Sequence, residues 1–490
     1  MNSNYMDDKI DSSVGDLVVS QNNVEHVWSC IYGSLSLGLL IILLIEPSYG
    51  SFSIRTYCVL NLLVFTFSFL FNNYILKLNI LSLPQVFLLV TFLYTSGLLT
   101  LFAFGLADLY LMVTWYDEYY AAIAIKMIMM SIFALQFGVC LAAFHKYSNQ
   151  NIQEVCIGEK FSDDLFKLGV IGFFVSISIL IISTILGSGY SEMFQSGYTD
   201  FKATLKGSDV RFFLTALSIL LPVSVIIMAS GAKTDKQIKL IYIVSFISLV
   251  AFLLAGDRGG AFSLLIALVF TLTLIGKKYS YAKIIIGAII VLILVPTIKD
   301  LRRQPFSEVV AEGISLVSEK SPFYRAFSET GASFQTFLGT IIIIPEIENY
   351  RYGDTYVEAL SKIIPNLGAW KLREDSGSLT SWITSYMNPY GKSGLGFLQI
   401  AEFYVQFGVV GIFLGFFMIG YFLTKWQIKC EIGLSDRRWV AINGCILCFL
   451  LIWIRNDIFN FIRPAVWSAI LIFGWTFFAK DKHSYDKRNI

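Results

Sequence analysis

Runs of about twenty apolar residues recur along this chain, and few folds can accommodate them. Bilayer hydrocarbon is about 30 Å thick and takes about 20 helical residues to cross. By that measure, spans are expected near 27–45, 56–76, 84–106, 120–144, 165–187, 211–230, 238–255, 260–276, 284–300, 397–424, 439–454 and 464–480, about twelve in all. Backbone groups cannot stay unpaired in lipid, so the spans should be helices. Composition agrees, with 56% hydrophobic and 15% charged residues, against about 25% charged in soluble domains. The expected fold class is an all-α polytopic integral membrane protein. A tail at 1–26 precedes nine spans within 27–300, a large loop at 301–396, three spans within 397–480 and a tail at 481–490. The first 25 residues are polar and carry Asp7, Asp8, Asp11 and Asp16, so no cleavable signal peptide is expected.

Charge is sorted by membrane side, which makes the net +2 uninformative about partners, and no nucleic-acid partner is expected. With both termini cytoplasmic, the inside segments hold nineteen Lys and Arg residues, while the short outside loops hold seven. Lys and Arg concentrate on the cytoplasmic face, so the large loop belongs outside, in the periplasm of a two-membrane bacterium. His26, His145 and His483 then all fall at or near the inner face. Outer-face chemistry must therefore use carboxylates, hydroxyls, Lys or Arg. The Cys445–Cys448 spacing fits a metal or redox pair, but the neighbours are Ile, Leu and Phe, so core thiols are expected.

From Asp300 to Gly396 the apolar pattern stops. That stretch holds Pro305, Pro322, Pro345, Pro365 and Pro389, half of the ten prolines, and is far longer than an ordinary connection. Ser307–Val317 and Tyr356–Ile364 carry apolar residues at helical spacing between prolines and glycines. With Phe323, Tyr324, Phe327, Trp370 and Trp382, the loop is expected to form short amphipathic helices on the membrane surface, a compact cap over the bundle.

Ionisable groups at the outer ends of spans are the candidate site residues. Asp257 and Arg258 interrupt a tight turn, Gly256-Asp257-Arg258-Gly259-Gly260. An arginine there either holds an anion such as phosphate or snorkels to water beside its neutralising aspartate. Arg455-Asn456-Asp457 with Arg463 offers a second phosphate site, or Arg455 and Asp457 simply cap a short loop. Gln399, Glu402 and Gln406 fall at i, i+3 and i+7, on one helical face. A carboxylate shielded from water there suits a general base, and the alternative is a structural hydrogen bond between helices. Gly408, Gly411 and Gly415 permit close helix packing. Arg302, Arg303 and Arg325 are loop candidates for phosphate or sugar, with Glu329, Asp354 and Glu358 as weaker ones. No P-loop, zinc-protease, G-x-S-x-G or dinucleotide motif occurs, and neither metal nor cofactor is expected.

The succession Tyr352-Gly353-Asp354-Thr355-Tyr356, Ile363-Ile364-Pro365 and Gly394-Leu395-Gly396-Phe397-Leu398-Gln399-Ile400-Ala401-Glu402 through Gly408, flanked by the two arginine clusters, resembles the Wzy-type O-antigen polymerases. The likeness covers roughly residues 240–470. It implies a GT-C-like fold and an inverting, metal-independent glycosyltransferase of the inner membrane with its site facing the periplasm. The implied substrates are undecaprenyl-diphosphate-linked oligosaccharide repeat units, and the implied partners are the lipid bilayer and a chain-length regulator. Carried onto this chain, Arg258, Arg455 and Arg463 become diphosphate candidates and Glu402 a base or an acceptor-positioning residue, and Asp457 stands beside Glu402 as a catalytic candidate. O-antigen ligases share the architecture but resemble enzymes with a periplasmic histidine. A flippase-type transporter would carry internal repeats and a midplane site.

Overall fold

The computed structural model describes residues 53–148, 159, 161–186, 210–254, 257–277, 279–280, 287, 321–364, 378–389, 396–432 and 436–486. The expected span at 27–45, that at 284–300 apart from Gly287, the segment 307–317, and Arg302 and Arg303 lie outside them. The first helices are α1 (Ile54–Tyr74), α2 (Leu83–Ala103), the single turn α3 (Leu109–Met112) and α4 (Glu118–Ser148). Next come α5 (Ser162–Leu186), α6 (Val210–Ser230), α7 (Asp235–Leu254) and α8 (Arg258–Leu274). The polar stretch supplies α9 (Pro322–Gly331), α10 (Phe334–Ile343), α11 (Asp354–Ser361) and α12 (Leu379–Met387). The chain closes with α13 (Gln399–Ile432), α14 (Arg437–Trp453) and α15 (Phe459–Asp486).

Among the described residues, six helices are long and apolar enough to cross a membrane: α1, α2, α4, α7, α13 and α15. The chain is a multi-pass membrane protein. Short polar side chains set several helix starts, as the N-cap preference requires. Asp257 accepts from the Gly260 amide at 2.9 Å, Ser321 from Tyr324 at 3.2 Å and Asp436 from Arg438 at 3.0 Å.

Two apolar cores form. One joins α1, α2 and α4 to α10 and the first part of α13, through Phe87, Leu99, Ile125, Phe337, Phe397 and Tyr404. The other joins α5 to α8, through Leu165, Ile226, Leu264 and Leu272. Helix α14 belongs to both, giving Leu447 and Leu450 to the first and Cys445 and Cys448 to the second. Those two cysteines are core thiols, free and buried. Lipid tails are as apolar as leucine, so association here draws on close packing rather than on water exclusion. The α4–α13 pair shows this: Gly138 lies against the Phe417 carbonyl and Gly420 against that of Leu135.

The described parts of the polar stretch do not sit on top as a separate layer. Helix α9 crosses α2 where Gly331 meets the backbone of Gly97 and Leu98. Helix α10 differs from a surface helix altogether. Phe334, Phe337, Leu338 and Ile341 are buried, and Thr336 and Thr340 return their hydroxyls to the carbonyls of Ser333 and Thr336. Its run of Phe, Leu and Ile makes it a core element inside an otherwise polar segment.

Candidate active site

Gln399, Glu402 and Gln406 share one buried face at the start of α13, with exposures of 1%, 0% and 0%. Directly after them the helix breaks. Gly408 adopts φ 63°, ψ −146°, and Phe407 also leaves helical geometry. That region of backbone space is essentially confined to glycine. After the break, α13 folds back on itself: Gly411 lies against the Phe403 carbonyl, and Gly415 faces the Phe403 ring. Residues eight apart in a continuous helix would be about 12 Å apart. Of the glycines expected to permit close helix packing, Gly411 and Gly415 thus pack on their own helix's first segment, and Gly408 faces the Tyr350 ring.

The broken ladder is repaired by the Arg351–Tyr356 segment. The Arg351 amide donates to Val405 O at 2.9 Å and that of Tyr352 to Gln406 O at 3.0 Å. The Gln406 side chain accepts from the Gly353 amide and donates to Thr355 Oγ1, both at 2.7 Å. Gly353, at φ 93°, turns the chain between these contacts. This accounts physically for Tyr-Gly-Asp-Thr-Tyr in the sequence: it supplies amides, a left-handed turn and a hydroxyl to a broken membrane helix.

One turn before the break, Glu402 organises the α14–α15 connection. Trp453 Nε1 donates to its Oε2 at 2.7 Å, and the Ile458 amide donates to Oε1 at 3.3 Å. Backbone pairing reinforces the contact, since Phe397 N donates to Arg455 O at 3.0 Å and Gln399 N to Ile454 O at 3.2 Å. Glu402, Asp457 and the backbone of Arg455 are thereby brought together. Asp457 is 1% exposed; Asn460 Nδ2 donates to its Oδ1 at 2.8 Å, while its Oδ2 is buried without a hydrogen-bond partner. Burial pushes its carboxyl above the usual range, and the Lys362 ammonium, the Thr380 amide and the Asn460 side chain pull the other way. The guanidinium of Arg455 stands over the Tyr94 ring at 5.6 Å and is half-buried. Gly396 makes room for it, because a Cβ there would stand 3.3 Å from Arg455 Nε.

Two further polar groups are orphaned near this cluster. Tyr356 Oη is buried without a partner, and burial and the Glu402 charge hold its phenol well above the usual range. Both amide atoms of Gln399 are likewise buried and unpartnered. Buried polar atoms nearly always find partners, and Asp457 Oδ2, Tyr356 Oη and the two Gln399 amide atoms are four that have none.

Arg258 is placed differently. Its Nη1 meets Glu329 Oε1 at 2.8 Å, with both side chains under a tenth exposed, which ties α8 to α9. Asp257 is occupied in capping α8, and Gly260 provides the space for its carboxylate. Arg325 lies one turn before Glu329 on α9, and Arg463 one turn into α15; both are half-buried. Trp453 and Tyr356 were not singled out in the sequence as site residues. An indole two residues before Arg455-x-Asp457 is the signal that could have found the first. Among the described residues, no group of three or more His, Cys, Asp or Glu side chains could hold a metal ion.

No curated protein and no solved structure matches this chain. A family model does, that of the O-antigen polysaccharide polymerase Wzy, over residues 30–483. With nearly the whole chain matched, the protein belongs to the O-antigen polysaccharide polymerase family.

Proposed function

We propose that this O-antigen polymerase works at the periplasmic face of the bacterial inner membrane, with both termini cytoplasmic. It moves the growing glycan from undecaprenyl diphosphate onto a new undecaprenyl-diphosphate-linked repeat unit. The acceptor hydroxyl attacks the anomeric carbon, the bond to the diphosphate breaks, and the diphosphate leaves with the electron pair. Asp457 takes the hydroxyl proton on Oδ2. Arg455, joined by Arg463, meets the negative charge that develops on the leaving group, where fixed cations contribute most. Guanidinium supplies that charge, so the step is read as metal-independent. Glu402 holds the connection that carries both residues, and the Arg258–Glu329 pair fixes α9 to α8. Arg302, Arg303 and Arg325 would guide sugar and phosphate from the loop, and a chain-length regulator is the proposed protein partner.

The observation that carries this reading is that one short connection, held by Glu402, bears both Arg455 and an Asp457 whose Oδ2 is buried without a hydrogen-bond partner. Deleting the gene and resolving the lipopolysaccharide on a gel tests it. The reading predicts core carrying a single repeat unit, restored to a ladder by the wild-type gene. Complete loss of O-antigen would contradict it and point to ligation or flipping.

A further inference from the structure

Helix α11 has two faces with different neighbours. Inward, Thr355 and Ala359 are buried, Thr355 pairs with Gln406, and Tyr356 faces the charge of Glu402. Lys362, just beyond its end, lies over the Phe459 ring at 3.5 Å and faces Asp457. Outward, Val357, Leu360 and Ile364 follow one another at helical spacing and are 70%, 57% and 61% exposed. No charge interrupts that stripe, because Glu358 and Lys362 pair with each other at 2.7 Å beside it.

What covers the stripe follows from its neighbour. Trp467 Nε1 donates to Ile363 O at 2.9 Å, fastening the end of α11 to α15. Trp467 is itself half-exposed within the candidate span Phe459–Phe478, of which only 22% is buried in the protein. The exposed face of that span, continuing through Ile470 and Phe477, is the surface a bilayer wets. The α11 stripe meets that span at the Ile363–Trp467 contact, and a tryptophan with its N–H satisfied there fits the membrane interface.

We infer that α11 and the turn that follows it lie in the plane of the membrane interface with Val357, Leu360 and Ile364 immersed in lipid acyl chains. They form the wall between the bilayer and the Glu402–Asp457 cluster. An amphipathic helix of this kind buries its apolar face about 5–10 Å into the boundary of headgroups and chains. The placement adds to the proposed chemistry without depending on it.

Val357→Cys and Leu360→Cys, labelled with bimane in nanodiscs, test the placement, with signal from the unsubstituted chain subtracted. Doxyl-labelled phospholipid should quench both labels several-fold more strongly than aqueous iodide does. Iodide quenching equal to that of a free bimane–glutathione adduct would overturn the inference. Because quenching is read without turnover, an inactive variant still reports. As a second measurement, Val357→Asp/Leu360→Asp should lower lipid quenching of a label at Ile364. Unchanged quenching there would also count against it.

Discussion

Trp453 donates its indole N–H to the Glu402 carboxylate at 2.7 Å, across fifty-one residues and between α14 and α13. The same indole stacks on Phe461 at 5.3 Å and meets Phe403 edge-on at 5.8 Å, so its position is fixed from three sides. This contact turns the α14–α15 connection toward α13 and sets where Asp457 and Arg455 stand.

Trp453→Phe keeps the ring stack and removes the donor. Leaving a buried carboxylate oxygen unpaired costs about 1–3 kcal/mol. A lower thermal midpoint and a shortened O-antigen ladder are expected, whereas Glu402→Gln, whose amide oxygen still accepts from Trp453, should retain more of the stability. Thermal melts of the two purified variants check the order.

The Arg258–Glu329 ion pair is sealed from water. Removing one partner of such a pair costs about 3–5 kcal/mol, because the other charge stays buried. Glu329→Gln should therefore lower the amount of folded protein, and Arg258→Glu/Glu329→Arg should recover it. A recovered protein with a full ladder marks the pair as structural. Recovery of protein without the ladder would place Arg258 on the substrate.

Gln406 holds Gly353 and Thr355 to the helix break. Gln406→Leu leaves both without their partner, at about 1–3 kcal/mol each. Limited proteolysis should then cut between Arg351 and Ser361 at protease concentrations that spare the wild type.

Two carboxyls respond to pH with opposite sign. Burial raises Asp457, and Lys362 opposes the rise. The folded state thus favours its neutral form. Its contribution to stability is complete below the ordinary carboxylate range and is lost as pH rises through the folded value. As a base, Asp457 must be ionised, so Lys362→Met, which removes the opposing charge, should move the acidic limb of the pH–rate profile upward. For Glu348, burial acts to raise the carboxyl. The hydrogen bonds from Tyr386 and Trp382 and the charge of Arg351 outweigh that, leaving it below its usual range. Its contribution is present above the ordinary carboxylate range and lost as pH falls through the folded value. Tyr386→Phe, which removes a 2.6 Å bond, should raise the acid-unfolding midpoint.

Against about twelve expected spans, six helices among the described residues are long and apolar enough to cross, and these were legible because apolar runs of sufficient length have one solution in lipid. Glu402 and Gln406 were legible because helical periodicity puts them on one face, and Asp457 and Arg455 because charge at a span end is costly. The break at Gly408 was not, since a glycine in an apolar run also suits unbroken close packing. The α10 core helix was masked by the polar residues around it. The Arg258–Glu329 pair joins residues seventy-one apart, a separation that no local pattern encodes.

Reconstitution of the Asp457→Asn variant in proteoliposomes with lipid-linked repeat units is the most direct test of the central claim. The substitution preserves size and the Asn460 contact while removing the basic oxygen. The account predicts normal incorporation into the membrane, retained binding of the lipid-linked unit, and no product longer than a single repeat. Polymerisation at the wild-type rate would contradict it.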